Sequence, residues 1–225
     1  NSGHALVILA RDWSHVPELF FNFPQIKVIE VSLNELDKVA SIVDELSIDL
    51  VIHMASGIVA GSDKKECNNE LLNIVLPTMK LLDMLSQKSI KVIFFSSGGT
   101  IYGNKSDLIT EESELEPINY YGYSKLLIEQ YILFLSRLLK LEYVIVRPSN
   151  VYGKLQNIDE TQGFIEVAIG KILDNKTIEI WGSGKQTRDF IHISDVCTAI
   201  NKIVSQGISN KIINIACGKS HSLLE

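Results

Sequence analysis

At 225 residues with 46% hydrophobic side chains, the chain is long enough to bury one substantial core. Lysine and arginine total 21 against 27 aspartates and glutamates, a net charge of −6 without long runs, which excludes the basic face that a nucleic-acid binder needs. No apolar stretch reaches the length of a membrane span, no signal peptide is visible, and the five histidines show no metal-ligand spacing, so no membrane, nucleic acid or metal is expected as a partner.

In chain order, apolar runs predict strands at 5–10, 26–31, 49–53, 90–95, 143–147, 177–181 and 211–215. Between them, helices are predicted near 34–46, 69–86, 121–139, 162–173 and 194–205. Strands alternating with helices imply a parallel sheet covered on both faces. Three of the strands run into small or polar residues. The run 49–53 leads into Met54-Ala55-Ser56-Gly57, and 91–95 into Ser96-Ser97-Gly98-Gly99-Thr100-Ile101-Tyr102-Gly103. The run 143–147 leads into Pro148-Ser149-Asn150-Val151-Tyr152-Gly153. Ligands of open α/β sheets bind beyond the carboxyl ends of the strands, which makes Ser96, Ser97 and Thr100 candidate holders of a substrate oxygen. The plain alternative is a glycine loop that only turns the chain.

Tyr121 and Lys125 open the helix predicted at 121–139. Four residues are about one helical turn, so both side chains project from the same face. A free phenol, with a pKa of about 10, is a poor base at neutral pH. A nearby ammonium group stabilises the phenolate and lowers that pKa. A tyrosine tuned in this way can take a proton from a sugar or alcohol hydroxyl and return it.

Five segments, in order, carry a family resemblance: Val51-Ile52-His53-Met54-Ala55, the turn from Ser96 to Gly103, Tyr-x-x-x-Lys at 121–125, the segment from Arg147 to Gly153, and Arg188-Asp189-Phe190-Ile191-His192-Ile193-Ser194-Asp195-Val196. Together they resemble the extended short-chain dehydrogenase/reductase superfamily, in its NAD-dependent, UDP-glucose 4-epimerase-like epimerase/dehydratase branch. The resemblance implies a Rossmann-type doubly wound α/β fold with a smaller substrate-binding lobe, and residues 1–150 and 151–225 as the two domains. It implies NAD as cofactor, a nucleotide-sugar substrate, and epimerisation through transient oxidation at sugar C4 with Tyr121 as acid and base. Lys125 would keep Tyr121 acidic. Gly98 stands where many relatives carry a serine or threonine, so the hydroxyl role falls to Thr100 first and Ser97 second.

By the same resemblance, Met54, Ala55 and Ser56 would line the cofactor pyrophosphate and ribose, with Ser96 nearby and Pro148 and Ser149 beside the nicotinamide. Asn150, Gln162, Trp181 and Arg188 would contact the nucleotide-sugar, although Trp181 has a core reading and Arg188 an ion-pair reading with Asp189 or Asp195. Ser32 and Leu33 fall where relatives hold the adenine. Arg11 follows Ala10 where an acidic residue would select NAD, which leaves NADP possible. A nucleotide-sugar reductase or 4,6-dehydratase, and a non-catalytic dinucleotide-binding scaffold, stand as alternatives. The turn's Gly98-Gly99-Thr100 lacks the acidic pair that dehydration needs. The opening residues read as the end of a helix and 220–225 as the start of another, so the chain is expected to lack its first strand, the glycine-rich loop and the end of its substrate lobe. An apolar stripe at Leu126, Leu127, Tyr131, Leu135 and Leu138 and the habit of the family suggest a homodimer. Three widely spaced cysteines suggest reduced thiols in the cytoplasm.

Overall fold

The structure, a computed structural model, describes residues 3–12, 16–105, 107–153, 163–180 and 183–224. Gln162 and Trp181 lie outside the described residues. The strands are β1 (Leu6–Ala10), β2 (Ile26–Glu30), β3 (Leu50–His53), β4 (Lys91–Phe95), β5 (Tyr143–Pro148), β6 (Asn150–Tyr152), β7 (Thr187–His192), β8 (Lys211–Ile215) and β9 (Ser220–Ser222). The helices are α1 (Leu36–Glu45), α2 (Lys64–Glu70), α3 (Leu76–Gln87), α4 (Tyr120–Leu139), α5 (Phe164–Leu173) and α6 (Ile193–Ser205), with a π-turn at Leu71–Val75.

The largest sheet has the order β3-β4-β5-β8, and every pairing in it is parallel. Side chains alternate across it as the pleat requires. Val92, Phe94 and Ile145 pack on one face against Val39 and Val43 of α1, Leu81, Leu82 and Leu85 of α3, and Ile128, Ile132 and Leu135 of α4. Ile93, Val144 and Val146 pack on the other face against Val196 and Ile203 of α6. This two-faced burial explains why β4 and β5 read as unbroken apolar runs. It is the doubly wound α/β arrangement expected from the sequence. β1 and β2 form a separate parallel pair, and Val31, just past β2, joins the first core.

β6, β7 and β9 make the smaller mixed sheet, with β6 parallel and β9 antiparallel to β7. The chain leaves the large sheet at Pro148 and returns to it in β8. Three local expectations need correction. Residues 220–222 form β9 rather than a helix, because their backbone pairs with Thr187–Asp189 of β7. Residues 177–180 form no strand. The helix expected at 69–86 is interrupted by the π-turn, where the Leu76 amide reaches back to the Leu71 carbonyl just ahead of Pro77, which has no amide to donate.

Candidate active site

α4 begins at Asn119, whose side-chain oxygen accepts the Gly122 amide at 2.8 Å and caps the helix. Gly122 is there because a Cβ would lie 2.8 Å from the Thr100 carbonyl oxygen. The first turn of α4 therefore rides directly on the glycine turn after β4, bringing Tyr121 and Thr100 to the same edge of the sheet. Within that turn the Thr100 hydroxyl donates to Ser97 Oγ at 3.0 Å. Gly98 has no room for a side chain, since a Cβ would lie 2.9 Å from the Arg147 carbonyl oxygen, and its amide donates to the Pro148 carbonyl at 2.7 Å. A Gly99 Cβ would sit 3.6 Å from Asn150 Oδ1, so the turn also borders the start of β6.

One helical turn after Tyr121, Lys125 is 2% exposed. Its ammonium lies over the Tyr121 ring, 5.5 Å from the centroid, and over Phe94 of β4 at 5.3 Å. Nζ also reaches the Ala55 carbonyl oxygen, in the loop after β3, at 3.5 Å. Burial pushes Lys125 down to about 8, opposed by the negative charge of Glu70. The same two influences both push the Tyr121 phenol above its ordinary value, burial first and Glu70 second. The expected acidification of Tyr121 by Lys125 is therefore not the resting condition of the free protein. The lysine is itself desolvated, and burial is the largest influence on both side chains.

Two further groups near these strand ends have no role assigned from the sequence. His53, which ends β3, is buried, with Nε2 2.9 Å from Thr78 Oγ1 of α3 and with Nδ1 unpartnered among the described residues. Burial and then the Lys125 charge push it down to about 4. Glu70, 3% exposed, accepts the Ser56 hydroxyl at 3.1 Å and the Gly57 amide at 2.8 Å. Neither residue has a local pattern that marks its burial, although His53 falls within the first family segment. His53 sits in an apolar run, and Glu70 follows two asparagines like a solvated helix charge.

The His53 arrangement predicts an acid sensitivity. The unfolded imidazole takes up a proton below its ordinary 6.5, whereas the folded one resists until about 4, so stability falls as the pH drops through that interval. The gap from 6.5 to about 4 corresponds to roughly 3 kcal/mol. Urea midpoints measured across this interval should decline in the wild type and decline less in His53→Gln.

The remaining candidates are distributed more widely. The buried Ser96 hydroxyl, at the tip of β4, has no hydrogen-bond partner among the described residues. Met54 and Ser56 are both exposed. The Ser149 hydroxyl donates to Asp189 Oδ1 at 2.6 Å, and the Asn150 side-chain amide to the Asp189 carbonyl at 2.9 Å. Asp189 also collects the amides of Cys217, Gly218 and Lys219 at 3.0, 2.7 and 3.1 Å. The carboxylate considered as an ion partner for Arg188 is thus a loop organiser, and Arg188, exposed, donates to the Thr187 carbonyl at 2.9 Å. At the other pair of strands, Arg11 is exposed just past β1. The Ser32 hydroxyl accepts the Asn34 amide at 3.3 Å, and Leu33 packs against the first core. Among the described residues no group of three metal-ligating side chains exists. No helix among them is long and apolar enough to cross a membrane.

A doubly wound parallel sheet, with a tyrosine and a lysine one turn apart on the helix that abuts the glycine turn, defines the class of extended short-chain dehydrogenases/reductases. Within that class the chain belongs to the NAD dependent epimerase/dehydratase family, whose model matches residues 1–216. It is 38% identical over 181 residues to a Methanocaldococcus jannaschii protein named "Putative UDP-glucose 4-epimerase", covering 79% of this chain and 58% of that one. It is 33% identical over 211 residues to the Escherichia coli dTDP-4-dehydro-6-deoxyglucose reductase, covering 92% and 66%. The fold matches the crystal structure of a Bacillus cereus UDP-glucuronic acid 4-epimerase in complex with UDP-glucuronic acid and NAD, with a TM-score of 0.86 at 25% identity, covering 100% of this chain and 73% of that one. The chain thus spans 58% and 66% of the lengths of these two curated relatives.

Proposed function

We propose that the protein is a nucleotide-sugar 4-epimerase that works through NAD. The observation that carries this reading is the buried Lys125 ammonium held over the Tyr121 ring at 5.5 Å and against the Ala55 carbonyl at 3.5 Å. A lysine is rarely buried without a purpose for its charge. The residues present suit the ribose side of a dinucleotide. The Ser96 hydroxyl is buried without a partner, and Lys125, with three donors, makes one long hydrogen bond among the described residues. Met54, Ala55, Ser56, Ser96, Tyr121, Lys125, Pro148 and Ser149 would hold the cofactor there, with Arg11, Ser32 and Leu33 towards its adenosine end. NAD, when bound, supplies the hydride acceptor and donor for sugar C4.

The protein's own part is proton transfer and positioning. Tyr121, as phenolate, takes the proton of the C4 hydroxyl and returns it after the sugar has turned over. The coupled hydroxyls of Thr100 and Ser97 steady the developing charge on that oxygen. Asn150, Gln162, Trp181 and Arg188 would hold the nucleotide-sugar, with the arginine fork on the diphosphate. A homodimer is supported by the apolar surface of Leu72, Leu76, Tyr123, Phe134 and Leu138, which stays exposed although Leu135 of the same helix is buried. The free cysteines Cys67, Cys197 and Cys217 suit a reducing cytoplasm.

A nucleotide-sugar reductase is the second reading, favoured by the exposed Arg11 at the tip of β1, which suits the 2′-phosphate of NADP. Incubation of the purified protein with UDP-glucose, UDP-galactose and their N-acetyl forms, and in parallel with a nucleoside-diphosphate 4-keto sugar and NADPH, separates the two. Epimerisation yields an isomer with no net change in nicotinamide absorbance. Reduction consumes one reduced cofactor per product, and that result would overturn the epimerase reading.

A further inference from the structure

We propose that Glu70 is a positioning residue for the Tyr121–Lys125 pair, clamping the Ser56–Gly57 turn beside Lys125 and acting on both side chains through its charge. This rests on the role proposed for that pair. Glu70 is the last residue of α2, immediately before the π-turn. Such turns interrupt the regular register of a helix and recur at functional sites. The segment reaches the end of β3 at two points, through Glu70 on Ser56 and Gly57 and through Thr78 on His53 Nε2 at 2.9 Å. Ala55, whose carbonyl meets Lys125 Nζ, lies between those points in the chain. The fit is close, because a Cβ on Gly57 would stand 2.9 Å from Glu70 Oε2.

The electrostatics agree with this geometry. Glu70 raises both the Tyr121 phenol and the Lys125 ammonium, so it favours a protonated pair at rest. The other titratable groups around the pair do not oppose it. His53 of β3 is held neutral near neutral pH by its shift to about 4. Asp83 of α3 is occupied by the Tyr131 hydroxyl, and Arg147 of β5 by Glu129.

Glu70→Gln isolates the charge. The glutamine carbonyl can still accept the Gly57 amide, and its NH2 can donate to Ser56 Oγ. The serine hydroxyl then donates to the Ile58 carbonyl, which it already approaches at 3.2 Å. Ultraviolet titration of the phenolate, referenced to Tyr121→Phe in the same background, should show Tyr121 ionising at lower pH in Glu70→Gln than in the wild type. The pH profile of kcat/KM should move in the same direction, and the Kd for NAD should change little. Glu70→Ala should also weaken NAD binding by about tenfold, since it removes hydrogen bonds to a charged group. A Tyr121 titration that superimposes on wild type in Glu70→Gln overturns the proposal. The titration reads the phenol whether or not the protein turns over a sugar, so a shifted titration without epimerisation would reject the function and leave the positioning role intact.

Discussion

Glu129→Ala is expected to destabilise the protein by about 3–5 kcal/mol, a large share of the stability of an ordinary domain. Glu129 is 0% and Arg147 2% exposed. They form a two-pronged ion pair, with Nε on Oε1 at 3.0 Å and Nη2 on Oε2 at 2.6 Å. Arg147 Nη1 also donates to the Tyr102 hydroxyl at 2.8 Å, and that hydroxyl donates to Asn214 Oδ1 at 2.7 Å. The Asn214 amide donates to Glu111 Oε1 at 2.7 Å. One connected network therefore joins α4, β5, the glycine turn and β8. Removing the carboxylate leaves a guanidinium buried without its counter-charge, and Arg147 cannot shed its proton to escape that cost. Urea denaturation measures the loss. The double variant Glu129→Met with Arg147→Met should recover much of it, because a packed apolar pair needs no counter-charge. A Glu129→Ala protein as stable as wild type would show that the pair contributes nothing. The consequence for the site is positional. Glu129 lies one turn beyond Lys125 on the same face of α4, so this pair sets the helix that aims Tyr121 and Lys125.

Tyr121→Phe is expected to lower kcat by roughly 10²–10⁴-fold, the usual contribution of a positioned acid–base group. Nucleotide-sugar binding should change only a few-fold, and the unfolding midpoint little, because the ring and its contact with Lys125 remain. The phenol's upward shift makes the wild type's proton transfer dependent on reaching the ionised state, so kcat/KM should climb with rising pH above neutrality, and the residual rate of the variant should lose that climb. A variant retaining wild-type kcat would remove Tyr121 from the chemistry.

The large sheet was legible because β4 and β5 are buried on both faces and so carry continuous apolar runs. The Tyr121–Lys125 pair was legible because helical spacing alone puts both side chains on one face. Where the expectations failed, the cause was a contact distant in sequence. Residues 220–222 extend only because β7 offers them an edge. The alternative of Asp189 as an ion partner for its neighbour Arg188 gives way for the same reason, because Asp189 gathers amides almost thirty positions along the chain. The π-turn was hidden because a one-residue register slip barely disturbs an amphipathic pattern. Glu70 was hidden because nothing local separates a buried carboxylate from a solvated one. Spacing likewise shows the ammonium one turn from Tyr121 but not the burial and the Glu70 charge that raise the phenol.

The central claim is that the hydrogen on sugar C4 leaves and returns within one site while Tyr121 handles the hydroxyl proton. The incubation with UDP-glucose tests it most directly when the sugar carries deuterium at C4. The account predicts an isomer that keeps the deuterium on C4, with no label in the solvent and no accumulated reduced nicotinamide. Deuterium lost to water, or left in the cofactor beside a released keto sugar, would contradict it.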